Sequence, residues 1–254
     1  MENSHLHFNT SIGVQKPENI RNKDQACPFC ERDQLTNLIA VDEPIILLKN
    51  KYPVLEHTFQ TVLIETDDCH GELSIYSKEH LHKLMRFGIK HWLDMEATGH
   101  YQSVIFFKNH GPLSGGTLSH PHMQIIGLDD IDYKEKVTHE MFEGIVIAEE
   151  EGVRFTLSTK PRVGFYEFNV EMDDSGYQER FSDYLQTAVH YILNNFPFKA
   201  TSYNLFFHHI ENKIYAKVVS RFVTTPLYIG YGIPQVPSNL EWMAGELQRI
   251  YFKE

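Results

Sequence analysis

The sequence predicts an α+β protein, an antiparallel sheet with helices packed on it, built from two similar halves. Short β-rich apolar runs, bounded by turn residues, are interrupted in each half by a longer segment whose apolar residues recur at helical spacing. The order strand, strand, helix, strand, strand occurs twice along the chain, and consecutive strands of this kind are typical of antiparallel sheets. With 254 residues and 42% hydrophobic residues, the chain can bury a sizeable core.

The first half begins with residues 1–26, a polar segment that we predict to be an extended arm. Its basic residues, Lys16, Arg21 and Lys23, are of the kind that usually face solvent. Residues 77–93 carry apolar side chains at helical spacing and predict a helix, with Ser77 as N-cap. The predicted strands of this half are Ile45–Leu48, Thr61–Glu65, Ser103–Lys108 and a histidine-containing strand from Ser119 onwards.

The second half shows the same order of patterns more weakly. Residues 182–193 have helical spacing, and residues 239–252 predict a terminal helix. No low-complexity segment or flexible linker separates the two halves. The predicted strands are 152–157, 164–170, 203–207 and 214–219.

The composition excludes several classes of function. A formal net charge of −11 leaves no overall basic surface, so neither nucleic acid nor a membrane is expected as a partner. No apolar run reaches the roughly 18 residues that span a bilayer, and the first residues lack a secretory signal pattern. The three cysteines are too few, and odd in number, for a disulfide framework. We therefore expect a soluble cytoplasmic protein.

A short polar segment, Ser119–Gln124, stands immediately before the apolar pair Ile125–Ile126. In a strand, His120, His122 and Gln124 would alternate onto one face. Burying three polar side chains on one face is costly unless each has a partner. We therefore interpret the segment as a functional site rather than as a strand whose polar face meets water.

Cys27 and Cys30 have the spacing of a tetrahedral metal site or of a redox pair. The residues before them are polar and irregular, which favours the metal. His120 is a third candidate ligand, and the fourth is either His70 or Cys69. His70 is favoured, because sites with two cysteines and two histidines are common and because Cys69 has the character of a small core residue. The prediction is one closed, structural Zn²⁺ site.

His122 is the candidate nucleophile. A neutral imidazole attacks phosphorus well near neutral pH, and covalent capture divides a difficult displacement into two easier steps. The upstream loop, residues 109–117, is rich in glycine, which lets backbone amides approach phosphate oxygens. Thr117 can donate to a leaving or bridging oxygen, and the Gln124 amide can hold the phosphoryl oxygens.

The same residues carry a resemblance to a known family. Phe107-Lys108-Asn109-His110-Gly111 through Gly115-x-Thr117-x-x-His120-Pro121-His122-x-Gln124 resembles the active-site segment of galactose-1-phosphate uridylyltransferases. These enzymes belong to the histidine-triad superfamily, together with plant-type ADP-glucose phosphorylases. The likeness is specific from the cysteine pair to the histidine strand. Further matching segments, in the family's order, are Cys27-Pro28-Phe29-Cys30, Asn50-x-Tyr52-Pro53, Ile64 to His70, and Tyr228–Tyr231 through Gln235 in the substrate-facing C-terminal part.

The resemblance implies two histidine-triad-like halves. Residues 1–145 would hold the zinc and the active site, and residues 146–254 would be a degenerate half that completes the substrate pocket. Because Tyr215-Ala216-Lys217 stands where the family has a second histidine pair, no iron site is expected. The implied residues are Cys27, Cys30, His70 and His120 as zinc ligands, His122 as the nucleophile, Asn109, Gly115, Gly116, Thr117 and Gln124 around the phosphates, Asn50 and Tyr52 in the nucleoside pocket, and Gln235 toward the substrate.

The implied activity is that of a hexose-1-phosphate uridylyltransferase-like enzyme. It moves a nucleoside monophosphate between a nucleotide sugar and a sugar 1-phosphate or phosphate, through a nucleotidyl-histidine. Gln124 stands where triad hydrolases have a third histidine, and in the family glutamine there accompanies transfer. The alternatives are a phosphorylase or hydrolase of a nucleotide sugar or dinucleotide, and a non-catalytic zinc-stabilised nucleotide-binding protein. The base, the sugar, the acceptor and the presence of a homodimer stay open.

Overall fold

The computed structural model of the chain describes residues 5–20, 22, 24, 26–173 and 176–252. Internal contacts divide the chain into two compact units. The first unit is Met1–Glu72 with Glu79–Glu135, and the second is Leu73–Lys78 with Lys136–Glu254. Within the described ranges, no helix is both long and apolar enough to cross a membrane.

The first unit is an antiparallel sheet with a long helix beside it. Its strands lie in the order β1-β2-β3-β5-β4. Register places Ile64, the last residue of β3, opposite His122, the first residue of β5. The described strands are β1 (Leu38–Asp42), β2 (Ile45–Lys49), β3 (Thr58–Ile64), β4 (Ser103–His110) and β5 (His122–Leu128), and the helices are α1 (Thr10–Gly13) and α2 (Lys78–Ala97).

The core of the first unit depends on α2, whose buried residues recur at helical spacing. The indole N–H of Trp92 donates to the carbonyl of Val104 on β4 at 2.9 Å and so ties the helix to the sheet. Gly88 lies where helix and sheet are close, because a Cβ there would stand 2.8 Å from Cζ of the buried Phe106 ring. A larger residue here would force the Phe106 ring or the helix to shift.

The second unit has the same strand order, read as β6-β7-β8-β10-β9. Its helix α3 falls between β8 and β9, as α2 falls between β3 and β4, and a π-helical turn, Tyr191–Asn195, continues it. The predicted α+β class and the two similar halves are confirmed. The described elements are β6 (Gly144–Glu150), β7 (Val153–Ser158), β8 (Glu167–Asp173), β9 (Tyr203–Ile210) and β10 (Lys213–Ser220), with α3 (Gln178–His190), α4 (Pro226–Tyr231) and α5 (Leu240–Tyr251).

The two units differ in the connection between their last two strands. Residues 111–121 join β4 to β5 in the first unit, whereas Glu211 and Asn212 alone join β9 to β10 in the second. In this fully described stretch, the second unit has no counterpart of the glycine-rich loop. The glycine-rich loop is therefore a feature of the first unit.

The sequence patterns miss the first strand of each unit, β1 and β6, and the short helix α1 within the predicted arm. β1 is an edge strand whose Leu38, Ile39 and Val41 are all exposed, so it lacks an apolar face that alternates inward.

The predicted boundary between residues 145 and 146 falls inside β6, which pairs with β7 along its length. His120 precedes β5 instead of lying in it. Arg21 and Lys23, two basic residues of the predicted arm, lie outside the described residues.

Replacing Gly88 tests the packing of α2. We expect Gly88→Ala to destabilise the protein by about 1–3 kcal/mol, because the new methyl group must displace a buried ring or lift the helix. The matched control is Gly245→Ala in α5, where a Cβ would meet nothing within 4 Å. That change should stabilise the protein by up to about 1 kcal/mol through helix propensity. Thermal and urea unfolding measure the stability of both variants. If both variants change the stability by a similar amount in the same direction, the packing explanation is wrong.

Candidate active site and metal centre

Four side chains that can bind a metal converge in the first unit: Cys27, Cys30, Cys69 and His120. Their ligand atoms all lie within 4.8 Å of one another. The two cysteines of the pair belong to a turn in which the Cys30 N–H donates to the Cys27 carbonyl at 3.2 Å. Cys69 lies in the turn after β3, and His120 stands just before β5. Three separate segments thus meet at one point.

The donor set fits a tetrahedral divalent metal. The Nδ1 atom of His120 lies 3.6 Å from the Cys27 sulfur and 3.7 Å from the Cys30 sulfur. Ordinary zinc–sulfur and zinc–nitrogen bonds at a tetrahedral angle separate such atoms by about 3.6 Å. The Nε2–H of His120 donates to the Thr66 carbonyl at 2.9 Å. Because a carbonyl can only accept, the proton is on Nε2, and Nδ1 presents its lone pair to the cysteines.

The thiols of this group perturb one another. Burial acts to raise the pKa of the Cys27 thiol, but hydrogen bonds with the His120 ring and the Phe29 backbone outweigh it, so the pKa is lowered to about 6. Burial, together with the neighbouring Cys30 and Cys27, raises the pKa of Cys69 to about 12. Adjacent thiols cannot all ionise without a compensating positive charge, which a divalent metal supplies.

His70, the predicted fourth ligand, is not in this group, and Cys69 takes its place. The reason is the turn after β3. The Asp68 carboxylate accepts a hydrogen bond from the His70 N–H at 2.9 Å, and the Asp68 carbonyl accepts one from the Gly71 N–H at 3.1 Å. This turn leaves the His70 side chain exposed and brings the Cys69 sulfur to the cluster. The signal in the sequence was the third cysteine itself, unexplained by any disulfide.

His122 begins β5 with its imidazole held in one tautomer. Its Nδ1–H donates to the carbonyl of His120 at 2.7 Å, so Nε2 carries a lone pair and is the nitrogen available to the neighbouring cleft. The Phe29 ring packs edge-on against both imidazoles, with centroid separations of 5.4 Å to His122 and 5.8 Å to His120. Burial, with smaller contributions from nearby cations, lowers the pKa of His122 to about 4. The imidazole is therefore neutral at pH 7.

A cleft of about 220 Å³ opens beside His122, entirely within the first unit. Part of its lining is apolar, where Phe29 and Leu35 pack against Leu48 and Val62. The rest of the lining includes polar side chains and residues of the glycine-rich loop. The predicted site residues that line the cleft are Asn50, Tyr52, Asn109, Gly115, Gly116, Thr117, His122 and Gln124.

Local backbone structure positions these residues. The Asn50 side chain accepts a hydrogen bond from the Tyr52 N–H at 2.8 Å, which fixes the turn after β2 at the edge of the cleft. Gly115 has φ +88, a left-handed conformation that disfavours other residues. His122 and Gln124 are two residues apart on β5 and share one face of the strand, as predicted.

Gln235 is the predicted substrate-facing residue that does not line this cleft. It belongs to the second unit, where its carbonyl accepts a hydrogen bond from the Phe165 N–H at 2.6 Å. Its contact with substrate stays a prediction.

A buried ion pair supports the segment between β3 and the metal group. The Lys108 ammonium on β4 contacts the Glu65 carboxylate, and both side chains are almost completely buried. The Glu65 N–H donates to the Pro121 carbonyl at 3.1 Å. The backbone that carries Thr66 and Cys69 is thus joined to the backbone that carries both histidines. Losing one partner of such a pair leaves a buried uncompensated charge, which is strongly destabilising.

Family models match nearly the whole chain. The model described as "Domain of unknown function (DUF4931) N-terminal domain" matches residues 8–131, and its C-terminal counterpart matches residues 134–252. This chain belongs to the DUF4931 family. A DUF4931 protein from Bacillus cereus ATCC 10987 has a crystal structure that is 45% identical, covers 85% of this chain and 100% of that chain, and superposes with a TM-score of 0.78.

More distant structures share the fold of this DUF4931 protein. A uridylyltransferase is 14% identical, covers 88% of this chain and 90% of its own, and has a TM-score of 0.68. An ADP-glucose phosphorylase from Arabidopsis thaliana, with bound ADP-glucose, is 16% identical, covers 94% of both chains and has a TM-score of 0.69. No curated protein matches the sequence. These structures confirm the galactose-1-phosphate uridylyltransferase-like fold that the motifs predict.

The assignment of the fourth ligand can be checked by metal analysis. We expect Cys69→Ser to lower the bound metal well below one ion per chain and to reduce the melting temperature, because a hydroxyl is a poor replacement for a thiolate. His70→Ala, the matched control one residue away, should keep both values. Elemental analysis and thermal unfolding report the two results. Loss of metal in the histidine variant, with retention in the cysteine variant, would restore His70 as the ligand.

Proposed function

We propose that this DUF4931 protein is a nucleotidyltransferase that moves a nucleoside monophosphate from a nucleoside diphosphate sugar to a phosphate-bearing acceptor. The observation that carries the proposal is the fixed tautomer of His122. The His120 carbonyl holds the proton on Nδ1, and Nε2 remains a neutral nucleophile beside the cleft. Imidazole nitrogen in this form attacks phosphorus and leaves again readily, as covalent transfer requires.

In the first step, the lone pair of His122 Nε2 forms a bond to the α-phosphorus. The bond from that phosphorus to the bridging oxygen breaks, and the sugar 1-phosphate leaves with the electron pair. In the second step, an oxygen of the acceptor phosphate attacks the same phosphorus, and the nitrogen–phosphorus bond breaks. The Nδ1 proton stays on its hydrogen bond to the His120 carbonyl throughout, and no net proton transfer is needed.

The polar lining of the cleft suits the phosphates. Thr117 offers a hydroxyl and Gln124 an amide, while the left-handed glycine at position 115 keeps the loop open without a side chain. The neutral Gln124 amide cannot accept a proton from an attacking water molecule, which favours transfer to a phosphate over hydrolysis. The apolar lining residues, Phe29 and Leu35 among them, suit a nucleobase.

Zinc is the metal we propose for Cys27, Cys30, Cys69 and His120, where it would serve as a structural centre with no open position. The metal would affect the chemistry indirectly, by fixing the position of His120. His120 binds with its ring, and its carbonyl fixes the ring of His122. A nucleotide sugar is the natural substrate class to test, since a structure of the same fold contains bound ADP-glucose. A hexose 1-phosphate or inorganic phosphate is the proposed acceptor.

The covalent step is tested by trapping the intermediate. Incubation with UDP-glucose or with ADP-glucose should add one nucleoside monophosphate to the protein, and the adduct should be acid-labile and located on His122. His122→Ala should abolish the adduct while keeping the metal content, because the substituted side chain is no metal ligand. Intact-mass spectrometry and peptide mapping measure both.

His70→Ala is the control for this experiment, since its exposed ring plays no part in the proposed step. An adduct that persists in His122→Ala would place the nucleophile elsewhere. If the wild-type protein forms no adduct, and His122→Ala binds nucleotide as tightly as the wild type does, a non-catalytic nucleotide-binding protein is favoured instead.

Gln124→His tests the fate of the intermediate. A histidine there can accept a proton from water, so we expect the ratio of released nucleoside monophosphate to exchange product to rise by about tenfold or more. Chromatographic product analysis with glucose 1-phosphate or phosphate as acceptor gives that ratio. Gln124→Asn, which keeps the amide, should leave the preference for transfer in place. An unchanged ratio in the histidine variant would remove Gln124 from control of the outcome.

A further inference from the structure

The N-terminal arm lies against the glycine-rich loop of the first unit. The Thr117 carbonyl accepts hydrogen bonds from the Asn19 N–H at 2.9 Å and from the Ile20 N–H at 3.2 Å. The buried Asn19 side-chain oxygen accepts two more, from the Ser119 N–H at 2.7 Å and the Ser119 hydroxyl at 3.1 Å. A Cβ on Gly116 would stand 3.5 Å from the Ile20 side chain. The arm is therefore part of the site and not a solvated extension of it.

This attachment brings Lys16 to the cleft. Lys16 lines the cleft together with Thr117 and His122, and it is half-buried. Burial lowers the pKa of its ammonium, which means that water solvates this charge incompletely. Among the described residues, no hydrogen bond or ion pair satisfies the ammonium. A cation in this state is stabilised by any anion that enters the cleft.

The other lysines of the cleft differ from Lys16. Lys49 and Lys51 are both exposed, and their ammonium groups lie 5.6 Å and 5.8 Å from the ring centres of Phe59 and Tyr52. They have water and an aromatic face as partners. In a chain of net charge −11, an incompletely solvated cation next to the candidate nucleophile is a local device for holding a phosphate.

We infer that Lys16 is a phosphate-binding residue of this cleft, whose ammonium pairs with the non-bridging oxygens of the nucleotide phosphate beside His122. Asn19 is the positioning residue that fixes the arm to the loop. No bond is made or broken in this contact, because the ammonium acts as a fixed charge and hydrogen-bond donor. The inference rests on the proposed function for the identity of the phosphate. It assigns an active role to a segment whose charges the sequence places at a solvated face.

Binding measurements on the full chain test this role without turnover. Titration calorimetry compares UMP and AMP with uridine and adenosine on the wild type, Lys16→Met and Lys16→Arg. We expect Lys16→Met to weaken the better-bound monophosphate about ten- to hundredfold, as for loss of a charged hydrogen bond, and to change the nucleoside little. Lys16→Arg should keep most of the monophosphate affinity. Lys49→Met is the matched control, since it removes a cleft-lining lysine that is exposed.

Three results would overturn the inference. One is equal weakening of monophosphate and nucleoside by Lys16→Met, another is equal loss in Lys16→Met and Lys49→Met, and the third is no monophosphate binding by the wild type. A failure of the proposed nucleotidyl transfer can be distinguished from a failure of this inference. If no adduct forms on His122 but the monophosphate affinity still depends on Lys16, the transfer chemistry is wrong and the phosphate site stands.

Asn19 is tested by the same comparison of monophosphate affinity with nucleoside affinity. Asn19→Leu removes both hydrogen bonds to Ser119, so it should reproduce the phosphate-specific loss of Lys16→Met while leaving nucleoside affinity unchanged. Asn19→Asp retains an acceptor oxygen and should recover most of the phosphate affinity. A merely structural role would lower both affinities together, and wild-type binding of the monophosphate by Asn19→Leu would remove Asn19 from the inference.

Discussion

The antiparallel ladder between β3 and β5 is the constraint on which the site depends. Its register sets Ile64 opposite His122, and the pairing continues beyond both strands through the Glu65 N–H and the Pro121 carbonyl. One step further, the Thr66 carbonyl receives the His120 Nε2–H. A slip of one residue would turn every side chain of β5 to the other face. The candidate metal group and the candidate nucleophile, His122, are therefore set by the same hydrogen bonds as the sheet.

Two neighbouring histidines use opposite nitrogens because each is held by a different carbonyl. His120 donates from Nε2 and presents Nδ1 to the cysteines, whereas His122 donates from Nδ1 and presents Nε2 to the cleft. The backbone of His120 links the two roles, since its ring joins the metal group and its carbonyl orients its neighbour. The buried Lys108–Glu65 pair lies under the same segment and helps to hold it.

Sequence reasoning found the strands and helices whose apolar residues point inward, and it missed those whose pattern depends on neighbours. β1 was missed, and in the structure it lies at the edge of the sheet with Ile39 and Val41 exposed. The arm reads as a solvated segment because nothing in its own composition shows that Asn19 will meet Ser119 across 100 residues of chain. Local patterns report on local structure, and contacts between distant segments leave little trace in them.

The sequence by itself determined the class of fold and the repeat of the two halves, and it marked the His-x-His-x-Gln segment as the candidate site. These follow from periodicity and from residue types that have few uses when buried together. Only the tertiary structure decided that Cys69, and not its neighbour His70, joins the candidate metal group. The turn after β3 points these two adjacent side chains in different directions. It alone brought Lys16 to the cleft, since that depends on where the arm packs. Backbone hydrogen bonds set the direction in which each side chain points, and the sequence pattern does not contain that information.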